Sequence, residues 1–137
     1  MPETFVVTAA MLRHIATKAM GLENEHRQAN VAATINSLYV CINGEWAISA
    51  TDRSLVVHGF WFDFNDDPDI AAWDLLGWLV RERGWVPLMI RAAGADYQAV
   101  CKVENTDGTL VGGTRATTLC EAVLRAILAA SGWEEAP

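Results

Sequence analysis

Asp63, Asn65, Asp67 and Asp69 alternate along the stretch "DFNDDPD", and Asp74 stands eleven residues after Asp63. Alternating oxygen side chains over twelve positions are how a calcium loop gathers its ligands. Two positions break the match. The sixth needs a glycine for its sharp turn and holds Pro68; the twelfth needs a bidentate glutamate and holds Asp74. Asp67 before Pro68 reads instead as a helix cap with proline at the first helical position. The acids are assigned to capping and solubility, and no metal is expected.

The other reactive residues form no recognisable constellation. His14, His26 and His58 lack the paired spacing of a metal site such as HxxxH. Cys41, Cys101 and Cys120 are odd in number, contain no CxxC pair, and read as small buried hydrophobes in a reducing compartment. Folding could bring a cysteine to a histidine, but no nucleophile elbow supports it. Gly112-Gly113 lacks the Lys-Ser/Thr of a phosphate loop. The expectation is a protein with no catalytic residues and no cofactor.

Tryptophan is the remaining unusual feature. Three of the six lie in "DIAAWDLLGWLVRERGW", Asp69 to Trp85. Winding this segment as a helix puts Ala72, Leu75, Leu76 and Leu79 at the centre of a core face. Trp73 falls at its flank and is expected to pack partly inside. Trp78 falls beside Asp74 and Glu82 and is expected outside the core stripe. Trp85 follows the helix stop and is expected in the core. In "GFWFDF", strand alternation puts Phe60, Phe62 and Phe64 on one face and Trp61 with Asp63 on the other. Packing between the halves is the favoured place for Trp61, and a capped surface position under the N-terminal half for Trp78; the other reading is an interface, since an exposed tryptophan is a frequent binding anchor. Trp78, Trp61, Asp63, Asp66, Asp67 and Asp74 are therefore the candidate partner-binding residues.

These residues need elements to position them. "TFVV" reads as a short strand, Thr8 as the cap of a helix from Ala9 to Met20, and Gly21 as its stop. Met11, Leu12, Ile15, Ala16 and Ala19 make its core face; Arg13, His14 and Lys18 are expected in solvent. Leu22 to Ala33 carries no clean period and reads as a loop or a poorly ordered turn of helix. "TINSLYVCI", "EWAISAT" and "SLVVHGFWF" read as a three-stranded meander, turning at Asn43-Gly44 and at Thr51 to Ser54. The stretch 63–68 is a seam between halves. A helix to Arg83 follows, stopped by Gly84. Three strands come next ("WVPLMIRA", "ADYQAVCKVEN", "TLVGGTRA"), with a turn at Asp107-Gly108. Thr118 and Glu121 form a capping box that opens a helix to about Ala130. Its core face is Leu119, Cys120, Val123, Leu124 and Ile127. The class is α+β, helices packed on antiparallel meanders, in the order βα-βββ then α-βββ-α.

Composition limits the function classes. With 137 residues, 52% hydrophobic and 20% charged, the chain suits one domain with a packed core. No apolar run approaches a membrane span, and no basic region precedes the apolar N-terminal stretch, so a cytoplasmic location is expected. The net charge of -7, with basic residues scattered singly, opposes tight nucleic-acid binding. It favours solubility, a basic partner, or mimicry of nucleic-acid charge. Helix, three strands, helix is also the order of double-stranded RNA-binding domains. The last helix here offers only Arg115 near its start and adds Glu121, so RNA binding is not expected.

Some stretches resemble known families. "IATKAMGLE", "FDFNDDPDIAAWDLLGWLVRERGW" and "TRATTLCEAVLRAILAA" resemble the phage ABA sandwich family of small phage and prophage proteins. The resemblance implies helices on both faces of an antiparallel sheet and a mobile-element origin; it implies no activity and no functional residues. "FVVTAAMLRHIATKAM" with "NSLYVCINGEWAISATDRSLVVHG" is similar to the first half of a bacterial sliding-clamp domain. The leading expectation is a non-catalytic phage or mobile-element protein that binds and inhibits a host protein or defence complex, as an anti-CRISPR protein does, in the host cytoplasm. The alternatives are an oligomeric clamp-like replication accessory with Arg13 and Lys18 facing DNA, and a small ligand-binding protein or enzyme. A homodimer is compatible with the leading reading.

Overall fold

Thr8 sets the chain's entry into its first helix. In the computed structural model, which describes residues 5–28, 37–41, 44–49 and 53–133, its hydroxyl accepts from the Met11 amide at 3.3 Å. Helix α1 spans Ala9–His14 and widens into a π turn over Ile15–Ala19. There the Thr17 hydroxyl donates to the Arg13 carbonyl at 2.9 Å, occupying an acceptor that the regular ladder would use. Gly21, left-handed, ends the segment as expected. Residues Phe5 to Val7 form no strand; Thr4 lies outside the described residues.

Five strands follow as an antiparallel meander paired in chain order: β1 His26–Gln28, β2 Ser37–Cys41, β3 Trp46–Ser49, β4 Ser54–Val57 and β5 Phe60–Asp63. Two expectations are corrected here. The segment read as a loop supplies β1, an edge strand that pairs only with β2 and shows no alternation in its sequence. "SLVVHGFWF" is a hairpin rather than one strand. His58 and Gly59 both take positive φ, 48° and 86°, the conformation of a two-residue type I′ turn. The turns expected at Asn43-Gly44 and at Thr51 to Ser54, and the burial expected of Cys41, lie partly or wholly outside what is described.

Helix α2 spans Pro68–Arg83. The Asp67 carboxylate caps it, accepting from the Ile70 amide at 3.2 Å. Left-handed Gly84 closes it, and the Trp85 amide returns to the Leu79 carbonyl at 3.2 Å. Strands β6 Val86–Arg91, β7 Ala99–Glu104 and β8 Leu110–Ala116 form a second antiparallel sheet in that order. Strand β6 is an edge that carries Pro87 and a register shift between Pro87 and Met89. Helix α3 spans Leu119–Ala130, with the Thr118 hydroxyl accepting from the Glu121 amide at 3.1 Å.

The class is α+β, as expected. Helix α1 packs on β3, α2 on β5, and α3 on β7, β8, α2 and the π turn. The helices therefore lie between the two sheets. This layering differs from the helices-outside arrangement that the phage resemblance implied. Helix α3 is central and buried almost all round, from Cys120 through Ala122, Val123, Leu124, Ala126 and Ile127 to Leu128. One apolar cluster joins residues from both sides of the 63–68 stretch.

The tryptophans of α2 reverse their expected places. Trp78 is buried, at 5% exposure, and Trp73 is exposed, at 52%. Ala71, one heptad before Trp78, is also buried, so the covered arc extends round the helix on that side. A helical wheel gives the angle between residues; which flank is covered depends on β5 and α3, the elements packed on α2. Trp85 is buried as expected. Trp78→Ala should cost about 3–5 kcal/mol of folding stability through loss of a large core side chain. Trp73→Ala should cost less than about 1 kcal/mol. Denaturant unfolding of both variants, at low protein concentration, measures the contrast.

Candidate interaction site

The β4–β5 hairpin positions the most exposed aromatic side chain among the described residues. Leu55 pairs with Phe62 and both are buried; Val56 pairs with Trp61 and both are exposed. Alternation turns Trp61 to the face opposite Phe62, as expected, but 69% of it is exposed, so it does not pack between the halves as the sequence reading favoured. Helix α2 runs beside β5 and completes a shallow cleft of about 240 Å³, lined by Phe60, Trp61, Phe62, Asp74 and Arg81. Of the six candidate residues, the structure brings Trp61 and Asp74 to one cleft. Trp78 lies on the same helix but faces inward.

The other three candidates lie in the β5–α2 connection. Asp63 accepts from the Asn65 amide at 2.9 Å and the Ser54 hydroxyl at 3.4 Å. Asp67 is the α2 cap. Asp66 is exposed beside them. Sequence reasoning missed Phe60 and Arg81. Phe60 shares a strand face with Phe62, as alternation predicts, but it closes the hairpin opposite Val57 and is half exposed. The "HG" pair at His58-Gly59 was the available signal, since it places Phe60 at a turn rather than in mid-strand.

Two larger hollows lie at opposite ends of the helices. One, of about 460 Å³, has Phe5, Val7, Phe64 and Cys120 in its lining with Arg53 and Asp69. The other, of about 250 Å³, is polar and includes Lys18, Arg83, Asn105 and Ser131. Among the described residues no three of His, Cys, Asp and Glu stand together as a metal site. Asp69, which the calcium-loop spacing would have used as a ligand, accepts from the Cys120 amide at 2.8 Å.

The thiols are poor nucleophiles. Burial pushes Cys101 up to about 11. Burial, with the Asp69 and Glu121 charges acting the same way, pushes Cys120 up to about 12. Both stay protonated at neutral pH, whereas the reactive form of cysteine is the thiolate. His58 lies 3.7 Å from Glu45 on the surface. His14, expected in solvent, is half-buried: Nε2 donates to the Ser131 carbonyl at 3.0 Å, and the ring meets Trp133 edge-on. Among the described residues, no helix is long and apolar enough to cross a membrane.

Compared with known proteins, the chain matches no family model, no curated protein and no solved structure. The phage and clamp resemblances therefore rest on the quoted stretches alone.

Burial lowers the pKa of His14 below its ordinary 6.5, against the raising bond to Ser131, and the charge of Lys18 lowers it further. As pH falls through 6.5, His14 of the unfolded chain takes up a proton before that of the folded chain does. Its contribution to stability is therefore full above that pH and is lost as pH falls towards the folded pKa. Between about pH 7.5 and 5.5 the wild type should lose more of its thermal midpoint than His14→Gln does. Parallel pH dependences for the two proteins would contradict the assignment.

Proposed function

We propose that the protein is a non-catalytic binding protein that occupies the surface of another protein, with Trp61 at the centre of contact. The observation that carries this reading is Trp61 itself, 69% exposed on the β4–β5 hairpin in a cleft it shares with Asp74. Large aromatic side chains are costly to leave in water, and tryptophan is over-represented among residues that dominate binding energy. Asp63, Asp66 and Asp67 continue the acidic surface next to it, and the whole chain carries -7. The partner that fits is a protein with a basic rim around an apolar pocket. The phage resemblance favours a host protein or defence complex as that partner, met in the host cytoplasm and inhibited by occlusion, as an anti-CRISPR protein works. The hollow of about 460 Å³, lined by apolar side chains together with Arg53, Asp67 and Asp69, favours a second reading, a small-ligand site, because its size falls in the range of ligand pockets.

Pull-down from host extract with the wild type and Trp61→Ala in parallel tests the first reading. The variant should fold normally. It should bind the captured protein weaker by about 2 kcal/mol, roughly thirtyfold. Equal capture by both proteins would sink the Trp61 surface. Micromolar binding to duplex DNA that collapses with added salt would favour the clamp-like alternative instead. A small molecule co-purifying in native mass spectrometry would favour the ligand site.

A further inference from the structure

Helix α2 is apolar on the side its own chain leaves open. Ile70, Trp73 and Val80 are 58%, 52% and 36% exposed, and they fall with Gly77 on one outward stripe. An apolar stripe along a helix is ordinarily covered. Here α3 and β5 cover only one side. Asp74 and Arg81 run along the β5 flank of that stripe, where both line the Trp61 cleft. Neither forms an ion pair among the described residues.

We propose that this face is a homodimer interface, in which α2 of one copy crosses α2 of a second copy antiparallel at Gly77. The stripe is self-complementary about that residue. One turn before Gly77 stand Trp73 and Asp74; one turn after it stand Val80 and Arg81. An antiparallel crossing puts the turn before on one copy against the turn after on the other. Trp73 then meets Val80 of the second copy, and Asp74 meets Arg81 of the second copy. The two-fold axis of such a pair lies in the interface, perpendicular to both helices, so each flank of one helix faces the same flank of the other. The charged flank meets the charged flank with signs opposed, and the apolar flank meets the apolar flank. A parallel pair would set Asp74 and Arg81 against Trp73 and Val80. An isologous contact of this kind needs one patch only, and it closes at two copies.

Gly77 supplies the close approach. A methyl group built there would meet only the end of the Arg81 side chain, at 3.2 Å. Only that flexible side-chain end must swing aside for a second helix to approach there. Glycine in mid-helix weakens the helix relative to alanine, a cost that a helix crossing offsets. The dimer draws Asp74 and Arg81 from the cleft that Trp61 lines, so dimerisation competes with partner binding there, but it does not depend on the binding reading above.

Sedimentation equilibrium of the full chain tests the proposal. The wild type should be a dimer at micromolar concentration. Asp74→Arg should raise the dimer dissociation constant by about tenfold or more. The double swap Asp74→Arg with Arg81→Asp should restore it, which no simple loss of folding would do. Gly77→Leu should give a folded monomer by circular dichroism. A wild-type monomer throughout, a dimer indifferent to Asp74→Arg, or a double swap that fails to restore association would each overturn it. Capture of a host protein by Trp61 is read separately, in the monomeric Gly77→Leu background.

Discussion

The Asp69 carboxylate, accepting the Cys120 amide at 2.8 Å, ties the first turn of α2 to the first turn of α3. The tie sets the two helices side by side and pointing the same way. Their C-terminal ends reconverge at the polar hollow, where Arg83 and Ser131 meet Lys18 from the first helix. Parallel helices add their dipoles, so acids are favourable at one end and bases at the other. Asp67, Asp69 and Glu121 occupy the first turns; Lys18, Arg81 and Arg83 occupy the last. Each sheet then covers one side of this layer. The β4–β5 hairpin is fixed against α2, and the direction of Trp61 follows from that placement.

Local signals located most of the elements. The Thr118 cap and the run after it placed α3, and Asp67-Pro68 with Gly84 bracketed α2 to the residue. The failures share a cause. His14 looked solvated because its partner, Ser131, lies 117 residues away in sequence. Trp78 and Trp73 were exchanged because periodicity fixes angles along one helix but not which elements flank it. The polar β1 segment lacks alternation because an edge strand is specified by its neighbour. The turn at His58-Gly59 is hard to see in sequence because the apolar run on both sides reads as one continuous strand, although histidine is among the residues that tolerate positive φ.

For the candidate site, strand alternation was sufficient to turn Trp61 to the face opposite Phe62, and the acidic run was plain in composition. That Trp61 and Asp74 share a cleft was not legible, because it depends on α2 lying against β5. Arg81 was invisible for the same reason. The carboxylates themselves divide by role: Asp67 and Asp69 hold helix ends, Asp63 holds a turn, and Asp66 and Asp74 face outward. A run that composition presents as one acidic feature is thus several separate devices.

The three-stranded sheet ends in an edge whose side chains are largely apolar. Val86, Leu88 and Met89 are about half exposed on β6, and no strand pairs with its outer side among the described residues. Such an edge is a template on which further chains can add without limit. Pro87 removes one amide from the strand, and the register shift beside it disturbs the spacing of the rest. A chain with an ordinary β-former at that position would regain the amide and lose one of the two features that guard this edge, leaving the register shift alone to keep the row of backbone groups from matching a neighbouring chain.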